Sequence, residues 1–305
     1  MPRLVYATRR SALALAQCRA FVGKLKEATA DLELVEEQVV TTGDKIQDRP
    51  LSEVGGKGLF VKEIEEALLA RRADLAVHSI KDVPATLPDG LVIACVPLRE
   101  DPRDVLVAPR HGRFEDLPEG AKVGTSSLRR AVCLRAARPD LEIVPMRGNV
   151  DTRLRKVDEG VCDAIVLARA GLVRLGLEKR ATAILEPEMS LPAVGQGALG
   201  IECRADDTVT LGILAALHHE TTSRCVAAER GVMVALEGDC KTPLGAFAEK
   251  LPRQDGASGF EMRLRAFVSL PDGTNLRSNE ERRAWPAHDD DARAFGLALG
   301  RALRG

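Results

Sequence analysis

Polar clusters follow several of the short apolar runs that predict β-strands. Arg9-Arg10-Ser11 comes after LVYAT, and His78-Ser79-Ile80-Lys81-Asp82 comes after ADLAV. The run GTSSLRR (124–130) likewise follows AKV, and Arg147-Gly148-Asn149 follows LEIVPM. Ligands of open α/β sheets bind beyond the carboxyl ends of the strands, where loops and helix N-termini converge. We therefore expect these clusters to line a binding cleft.

The run GTSSLRR has two interpretations. Small hydroxyl residues at a helix start leave backbone N–H groups that hold anionic oxygens, and Arg129 and Arg130 would add forked donors for carboxylates. An ordinary serine N-cap with solvent-facing arginines explains the run equally well. Arg147, Arg153 and Arg174 lie near other strand ends or helix starts, and this clustering favours a ligand with several negative groups. No GxxxxGK[ST] loop is present, which disfavours a nucleotide.

Asp82 is a carboxylate placed among these cations. The Val83-Pro84 dipeptide that follows keeps the local backbone away from helix. Nearby positive charges favour the ionised carboxylate, which suits it to stabilising a cationic intermediate. A structural salt bridge with Lys81 or a neighbouring arginine is the alternative.

Cys240 stands apart from the other six cysteines (18, 95, 133, 162, 203 and 225), which we interpret as small buried apolar residues. The odd total of seven and the lack of a CxxC pair disfavour a disulfide framework and a zinc site. Cys240 lies in the turn-forming run GDCKTPLG (238–245), where Lys241 favours the thiolate needed for covalent attachment. No histidine is near in sequence to act as its base.

The sequence predicts no metal site. The pair His218-His219 falls in an apparent helix without further ligand spacing, which favours a packed or solvated helix face. His78 is interpreted as a hydrogen-bonded structural residue rather than a general base. The run VGGKG (54–58) is interpreted as a mobile loop over the cleft with Lys57 as a substrate contact, although a plain flexible turn is almost as compatible.

The elements that must position these residues alternate between strand and helix. The first hundred residues read as βαβαβ, which indicates a mainly parallel sheet, and the pattern restarts after residue 101. The run SLPAVGQGALGIECRA returns the chain to the first domain, a helical stretch follows from Asp206 to Leu236, and the rest reads β-β-α with a final helix after Asp289. We expect an α/β protein of three domains: domain 1 (1–97, with return segment 198–216), domain 2 (103–192) and a smaller α+β domain 3 (220–305).

The composition is that of a globular protein large enough for two or three cores, with 305 residues, 45% apolar and 29% charged. The 44 Lys and Arg nearly cancel the 45 Asp and Glu, so no net field attracts nucleic acid or an anionic membrane. Aromatic residues make up only 3%, which disfavours base-stacking platforms. Neither a secretory signal nor an apolar run near the ~20 residues of a membrane span is visible, which predicts a cytoplasmic protein.

Six motifs, in order along nearly the whole chain, resemble the porphobilinogen deaminase family. They are VGGKGLFVKEIE (54–65), HSIKDVP (78–84), GTSSLRR (124–130), RGNVDTRL (147–154), LPAVGQGALGIECR (191–204) and GDCKTPLG (238–245). The resemblance implies two domains like those of type II periplasmic binding proteins and a third that carries the cofactor cysteine. It also implies a dipyrromethane cofactor held by Cys240 through a thioether.

The resemblance further implies roles for individual residues. Asp82 matches the carboxylate that acts on the pyrrole nitrogens and the departing aminomethyl group. The residues expected to contact the cofactor are Ser79, Lys81, Thr125, Ser127, Arg129 and Arg130. Those expected to contact substrate and the growing chain are Arg9, Ser11, Lys57, Phe60, Arg147, Arg153, Arg174 and Gln196.

The implied reaction joins four porphobilinogen molecules head to tail into hydroxymethylbilane, each molecule losing ammonia. We expect a monomer without nucleic-acid or membrane partners. Glu53 departs from some relatives, which carry lysine there, so no cationic role transfers to it.

Two rival classes of function stay open. A non-catalytic anion-binding module would need neither Asp82 nor Cys240, and a cysteine-dependent transferase without a cofactor would lack a base for its thiol.

Overall fold

The chain folds into two compact units, each built from two separate stretches. The computed structural model describes residues 2–45, 61–238, 241–254 and 258–304. Unit 1 comprises Met1–Glu100 and Ala198–Ser223, and unit 2 comprises Asp101–Gly197 and Arg224–Gly305. Across the described ranges, no helix combines the length and apolar character needed to cross a membrane.

The described residues form strands and helices in alternation. The strands are β1 (Arg3–Arg9), β2 (Glu33–Val39), β3 (Leu75–Ser79), β4 (Leu91–Cys95), β5 (Asp104–Val107), β6 (Lys122–Gly124), β7 (Glu142–Val144), β8 (Ala164–Ala168), β9 (Ala183–Leu185), β10 (Leu199–Arg204), β11 (Leu244–Pro252), β12 (Phe260–Val268) and β13 (Arg277–Ala284). The α-helices are α1 (Ala12–Ala28), α2 (Thr42–Lys45), α3 (Lys62–Leu69), α4 (Leu128–Ala137), α5 (Val150–Asp158), α6 (Arg169–Arg174), α7 (Thr208–Leu214), α8 (Glu220–Ala235) and α9 (Asp289–Arg304). Short 3₁₀ turns span Ile80–Asp82, Glu178–Arg180 and Ala215–Leu217.

Unit 1 contains a five-stranded sheet in the order β2-β1-β3-β10-β4. β1 is parallel to β2 and β3, whereas β10 is antiparallel to both of its neighbours. Helix α1 packs Phe21 and Leu25 on the sheet face that Leu4 and Leu75 share. Helix α3 packs Ile64 and Leu68 on the opposite face, because alternate strand residues point to opposite sides. The chain returns to the first sheet through β10.

Unit 2 contains a second five-stranded sheet of the same plan, in the order β7-β6-β8-β5-β9. β6 is parallel to β7 and β8, whereas β5 is antiparallel to β8 and β9. In both sheets the antiparallel fourth strand is the first strand formed after the chain passes from one unit to the other. β5 therefore begins at the edge where β8 ends, with Asp104 opposite Ala168.

Residues 244–304 form a smaller α+β part of unit 2. β11, β12 and β13 make an antiparallel sheet, and α9 packs Phe295, Leu299 and Leu303 into a core that α8 shares. Two α/β sheets and this smaller α+β part confirm the predicted fold class. The exact boundaries of the three domains stay a prediction.

Two local predictions are wrong. The sequence predicts two strands in the C-terminal part, but β13 is a third, and its run RSNEERRA shows no apolar alternation because β13 lies at the sheet edge. His218 and His219 do not lie in a helix as expected, because they fall in the connection between the 3₁₀ turn Ala215–Leu217 and α8 within the otherwise helical stretch 206–236. His219 Nδ1 accepts the N–H of Thr222 (3.2 Å), which satisfies a free donor in the first turn of α8.

Candidate active site

The carboxyl ends of β1 and β3 meet at one edge of the unit 1 sheet, beside a cavity of about 60 Å³. β1 ends at Arg9, and the following turn places Ser11 at the N-cap of α1, where its Oγ accepts the N–H of Ala14 (3.3 Å). Arg9, Ser11, Ser79 and Asp82 all line the cavity. The fold thus brings together four residues that the sequence analysis assigns to the site.

Asp82 ends the 3₁₀ turn that follows β3. Val83 N–H donates to the carbonyl of Ile80 (3.0 Å), and Ile80 is buried, so the turn is anchored on the unit 1 core. Asp82 itself is exposed and makes no hydrogen bond or ion pair with any other residue in the described ranges. Its carboxylate is therefore available to a ligand.

Gln17 and His78 also line this cavity, although the sequence analysis does not assign them to the site. Gln17 is buried on α1, and its Oε1 accepts the hydroxyl hydrogen of Ser79 (3.0 Å). The available signal for Gln17 was that it is a polar residue among the buried positions of α1. His78 Nε2 lies 2.9 Å from a carboxylate oxygen of Glu202, and both residues are buried, which fits the structural role predicted for His78.

Glu65 on α3 belongs to the same buried group as His78 and Glu202. Burial raises the pKa of Glu65, and the negative charge of Glu202 raises it further, whereas His78 opposes the shift. Unit 1 therefore keeps two carboxyl groups and one imidazole within mutual electrostatic reach. This group adjoins the cavity through His78 alone.

In unit 2, the run GTSSLRR links β6 to α4. Ser127 is the N-cap of α4, and its Oγ accepts the N–H of Arg130 (3.5 Å). Thr125 is buried, and its hydroxyl accepts the N–H of Ser127 (3.1 Å). The serine is therefore an N-cap, but the arginines beside it do not face solvent, since Arg129 and Arg130 are only 4% and 6% exposed.

Asp104 explains how two adjacent arginines are buried together. Its Oδ2 lies 2.8 Å from Nη2 of Arg129 and its Oδ1 lies 2.7 Å from Nη2 of Arg130, and the residue has no exposed surface. Burial by itself would raise the pKa of Asp104, but the two guanidinium groups overcome that effect and hold the pKa well below its usual range. Asp104 is not among the residues that the sequence predicts for the site. The signal was a lone acid opening the apolar run DVLV.

Two further side chains complete the surroundings of Asp104. Gln196 Nε2 donates to Asp104 Oδ1 (2.9 Å) and to the carbonyl of Pro102 (2.5 Å). Ser190 Oγ donates to Asp104 Oδ2 (2.9 Å). The predicted site residue Gln196 is thus connected to Arg129 and Arg130 through a shared carboxylate.

Arg153 lies within electrostatic reach of both Arg130 and Arg147, and neither Arg147 nor Arg153 has an acid comparable to Asp104. Burial, together with the positive charges of Arg130 and Arg147, lowers the pKa of Arg153 to about 10. Arg153 Nε donates to the carbonyl of Gly148 (2.8 Å), and the Arg147 side chain has no hydrogen-bond or ion-pair partner among the described residues. Unit 2 therefore holds a cluster of positive charge that is not neutralised within its described part.

Buried donors of this cluster fit a ligand with carboxylates. Nε of Arg129 and Nε of Arg130 are buried, and neither has a partner among the described residues. Unsatisfied buried donors are costly, so a bound anion would stabilise them. The residues present therefore fit a dipyrromethane, whose rings each carry two carboxylate arms. Arg174 is held differently, through a hydrogen bond from its Nη2 to the carbonyl of Gly197 (2.6 Å).

Three predicted site residues, Lys57, Phe60 and Cys240, lie outside the described residues, as does Glu53. Among the described cysteines, Cys18, Cys95, Cys162, Cys203 and Cys225 are buried, as predicted, and Cys133 is half-buried. Burial raises the pKa of Cys18 and Cys95 to about 12 and that of Cys203 to about 11, which keeps these thiols protonated and unreactive.

A larger cavity of about 650 Å³ lies elsewhere in unit 2, between α4 and the sheet of β11 to β13. None of its lining residues is a predicted site residue. Arg263 and Arg265, which line it, are paired with Glu280 (2.9 Å) and Glu188 (2.6 Å) respectively. The positive charges of Arg263 and Arg265 are therefore already neutralised by acids, unlike the charges of Arg147 and Arg153.

The run GQGALG (195–200) has the spacing GxGxxG, but it leads into strand β10 rather than a helix. It therefore lacks the strand-turn-helix context of a dinucleotide-binding loop.

The fold and the site define an α/β protein with hydroxyl groups and clustered arginines at the carboxyl ends of its strands, suited to ligands that carry several anionic groups. Comparison with known proteins narrows this class. Residues 4–211 match the family model described as porphobilinogen deaminase, dipyromethane cofactor binding domain, and residues 223–305 match its C-terminal domain. The chain is also 59% identical over 301 residues to a porphobilinogen deaminase of Sorangium cellulosum, covering 99% of this chain and 98% of the relative. The chain belongs to the porphobilinogen deaminase family, as its motifs predict.

Solved structures show weaker similarity. A lipoprotein of Bacillus subtilis is 15% identical with a TM-score of 0.43, covering 72% of this chain and 92% of that one. The periplasmic VFT2 domain of BvgS from Bordetella pertussis is 16% identical with a TM-score of 0.42, covering 71% and 86%. A YaeC-family lipoprotein of Enterococcus faecalis is 16% identical with a TM-score of 0.40, covering 73% and 94%.

Proposed function

We propose that the chain is a hydroxymethylbilane synthase (EC 2.5.1.61), a transferase of tetrapyrrole biosynthesis that joins four porphobilinogen molecules on a dipyrromethane attached to Cys240. The observation that carries this proposal is the cluster of Arg130, Arg147 and Arg153 in unit 2, in which only Arg130 is paired with an acid among the described residues. Each pyrrole ring of the proposed substrate and cofactor brings an acetate and a propionate. A ligand with many carboxylates thus matches a cluster with surplus cations.

The proposed division of labour follows the positions of the residues in each unit. For the cofactor arms we propose Ser79, Lys81, Thr125, Ser127, Arg129 and Arg130. For the substrate and growing chain we propose Arg9, Ser11, Arg147, Arg153, Arg174 and Gln196, together with Lys57 and Phe60. Support comes from the convergence of Arg9, Ser11 and Ser79 on one cavity and from the buried Nε donors of the two arginines after Ser127.

Asp82 is the proposed catalytic residue. When ammonia leaves porphobilinogen, the aminomethyl C–N bond breaks with its electron pair going to nitrogen, and positive charge spreads over the remaining pyrrole. An ionised carboxylate near the pyrrole N–H stabilises that charge. The dipyrromethane, when bound, supplies the pyrrole α-carbon with which the deaminated carbon forms the new bond. Asp82 is then the carboxylate available to hold the proton released as the ring becomes aromatic again.

The rival classes account for fewer observations. An anion-binding module explains the arginines, but it gives no role to an exposed carboxylate that has no partner among the described residues and borders the same cavity as Arg9. A cysteine-dependent transferase without a cofactor leaves the buried Nε donors unexplained. We further propose a cytoplasmic monomer with domains at 1–97 with 198–216, 103–192 and 220–305.

Intact mass of the purified protein tests the cofactor and its anchor. Wild-type protein made in cells that supply porphobilinogen should exceed the polypeptide mass by two pyrrole units, and Cys240→Ser should show the bare polypeptide mass. Cys225→Ser, which changes a buried cysteine, is the control and should retain the adduct. A Cys240→Ser protein that kept the adduct, or a wild type without it, would reject the assignment.

A further inference from the structure

Asp104 occupies the ligand-binding edge of unit 2 without facing solvent. It opens β5 opposite Ala168, the last residue of β8, so it lies where the parallel strands of this sheet end. The corresponding first residue of β10 in the unit 1 sheet is Leu199, opposite Ser79. The shared sheet plan therefore does not require an acid at this position, and only the unit with the paired arginines has one.

The terminal nitrogens of Arg129 are fully engaged by the protein. Nη1 donates to the carbonyl of Leu191 (2.6 Å) and to Ser190 Oγ (3.4 Å). Nη2 donates to Asp104 Oδ2 (2.8 Å) and to Gln196 Oε1 (3.4 Å). Since each terminal nitrogen carries two hydrogens, only Nε–H of Arg129 is left for a ligand.

Arg130 is engaged less completely. Its Nη1 donates to the carbonyl of Val166 (3.0 Å) and its Nη2 donates to Asp104 Oδ1 (2.7 Å). Each terminal nitrogen thus keeps a second N–H without an acceptor among the described residues, and Nε–H is also unpartnered. Arg130 has three spare donors where Arg129 has one.

We propose that Asp104 is a positioning residue, which holds Arg129 so that only its Nε–H is left for the dipyrromethane and orients the spare donors of Arg130 towards the carboxylates of that cofactor. This inference rests on the proposed function. By occupying one Nη of each arginine, Asp104 also keeps a ligand carboxylate from bridging the two arginines in a different geometry. A guanidinium held in advance loses less freedom when it binds a carboxylate.

The test uses Asp104→Ala with sodium formate as the probe. The variant should load dipyrromethane at least ~10-fold more slowly than wild type, because a well-placed charge-assisted contact is worth about that factor. Formate should partly restore loading and raise the melting temperature of the variant, since it can take the place of the missing carboxylate, but should change neither in wild type. Asp140→Asn is the control, because it removes an acid bonded to Arg138 at the surface and should load normally.

Two further measurements separate a positioning role of Asp104 from a merely structural one. A less stable Asp104→Ala protein that loads at the wild-type rate and ignores formate would show that Asp104 is merely structural. If this variant does not fold, Arg130→Gln should slow loading far more than Arg129→Gln, because Arg130 offers the cofactor three spare donors and Arg129 only one. Equal loading rates would overturn the proposal. The formate-dependent melting temperature of Asp104→Ala is also measured in a Cys240→Ser background, where no cofactor is involved. This measurement separates a failure of the role proposed for Asp104 from a failure of the proposed function.

Discussion

Arginine residues in unit 2 occur in two different environments. Arg129 and Arg130 share a buried carboxylate, whereas Arg147 and Arg153 have no paired acid among the described residues. A pKa of about 10 still leaves Arg153 charged at neutral pH. Mutual repulsion therefore persists in the free protein, and a bound polycarboxylate would relieve it.

Asp82→Asn tests the proposed catalytic carboxylate. The amide keeps the size of the side chain but cannot stabilise a cation by its charge, so turnover should fall roughly 10²-fold or more. Intact mass should still show the cofactor, and KM should change little. Asp89→Asn, at an exposed position later in the same unit, should turn over normally. Near-wild-type turnover of a cofactor-loaded Asp82→Asn protein would reduce this residue to a structural role.

Glu65→Gln tests the buried group beside the cavity through its pH dependence. Because the pKa of Glu65 is raised in the folded protein, its contribution to stability is full below the unfolded-state pKa of about 4.3 and is lost as pH rises through the folded value. A glutamine side chain at this position cannot ionise, so the variant should melt higher than wild type at pH 8 and lose this advantage near pH 4.

The exposed neighbour on the same helix provides the control for that measurement. Glu66→Gln removes only a surface contact with Lys62 and should show no such pH-dependent gain. A melting-temperature difference between Glu65→Gln and wild type that is independent of pH would contradict the proposed cause.

At the scale of elements, glycine decides how closely α8 and α9 approach. A Cβ on Gly296 would collide with the carbonyl group of Ala228, and a Cβ on Gly300 would crowd the backbone of Val232. Both contacts involve backbone atoms, which cannot move aside as a flexible side chain can. The C-terminal core therefore depends on the absence of side chains at these positions.

Gly296→Ala should lower the free energy of unfolding by about 1–3 kcal/mol, because the clash outweighs the gain in helix propensity. Gly23→Ala is the matched control, since Gly23 also lies inside a helix but its added Cβ would meet nothing within 4 Å. That substitution should raise the free energy of unfolding by about 0.5–1 kcal/mol. Denaturant titration measures both, and a loss of stability in both variants would reject the packing argument.

At the scale of the whole molecule, the proposed site residues are distributed over both units. The chain passes from one sheet to the other twice, and each passage leads into an antiparallel strand that begins at the ligand-binding edge. Asp82 and Arg9 belong to unit 1, and most of the proposed carboxylate-binding arginines belong to unit 2. Each added pyrrole brings two carboxylates, so different cations must be used as the product lengthens.

Substitution of individual arginines should therefore block different stages. Arg130→Gln should impair cofactor assembly or the first addition, whereas changing Arg147, Arg153 or Arg174 to Gln should let later covalent adducts accumulate, each affected stage slowing by ~10-fold or more. Native mass spectra taken shortly after mixing with porphobilinogen identify the adduct that builds up. Arg135→Gln, on the exposed side of α4, is the control. A uniform loss of initial binding in all variants would reject stage-specific roles.

Local patterns in the sequence were enough to predict the repeated α/β architecture, the non-helical backbone at Val83 after Asp82 and the helix start in the run GTSSLRR. These features depend on short-range periodicity, on proline geometry and on capping chemistry, all of which a few neighbouring residues determine. The edge strand β13 escaped prediction because its charged residues need no buried face.

Only the tertiary structure decided which acid meets which arginine. Asp104 lies 25 and 26 positions before Arg129 and Arg130, and they meet because β5 pairs with β8, next to β6, whose C-terminal end leads into α4. The same holds for Glu202 and His78, which adjacent antiparallel strands bring together. A residue's own neighbours specify whether its strand is buried, but its partner across the sheet depends on strand order, which is set by the packing of the whole unit.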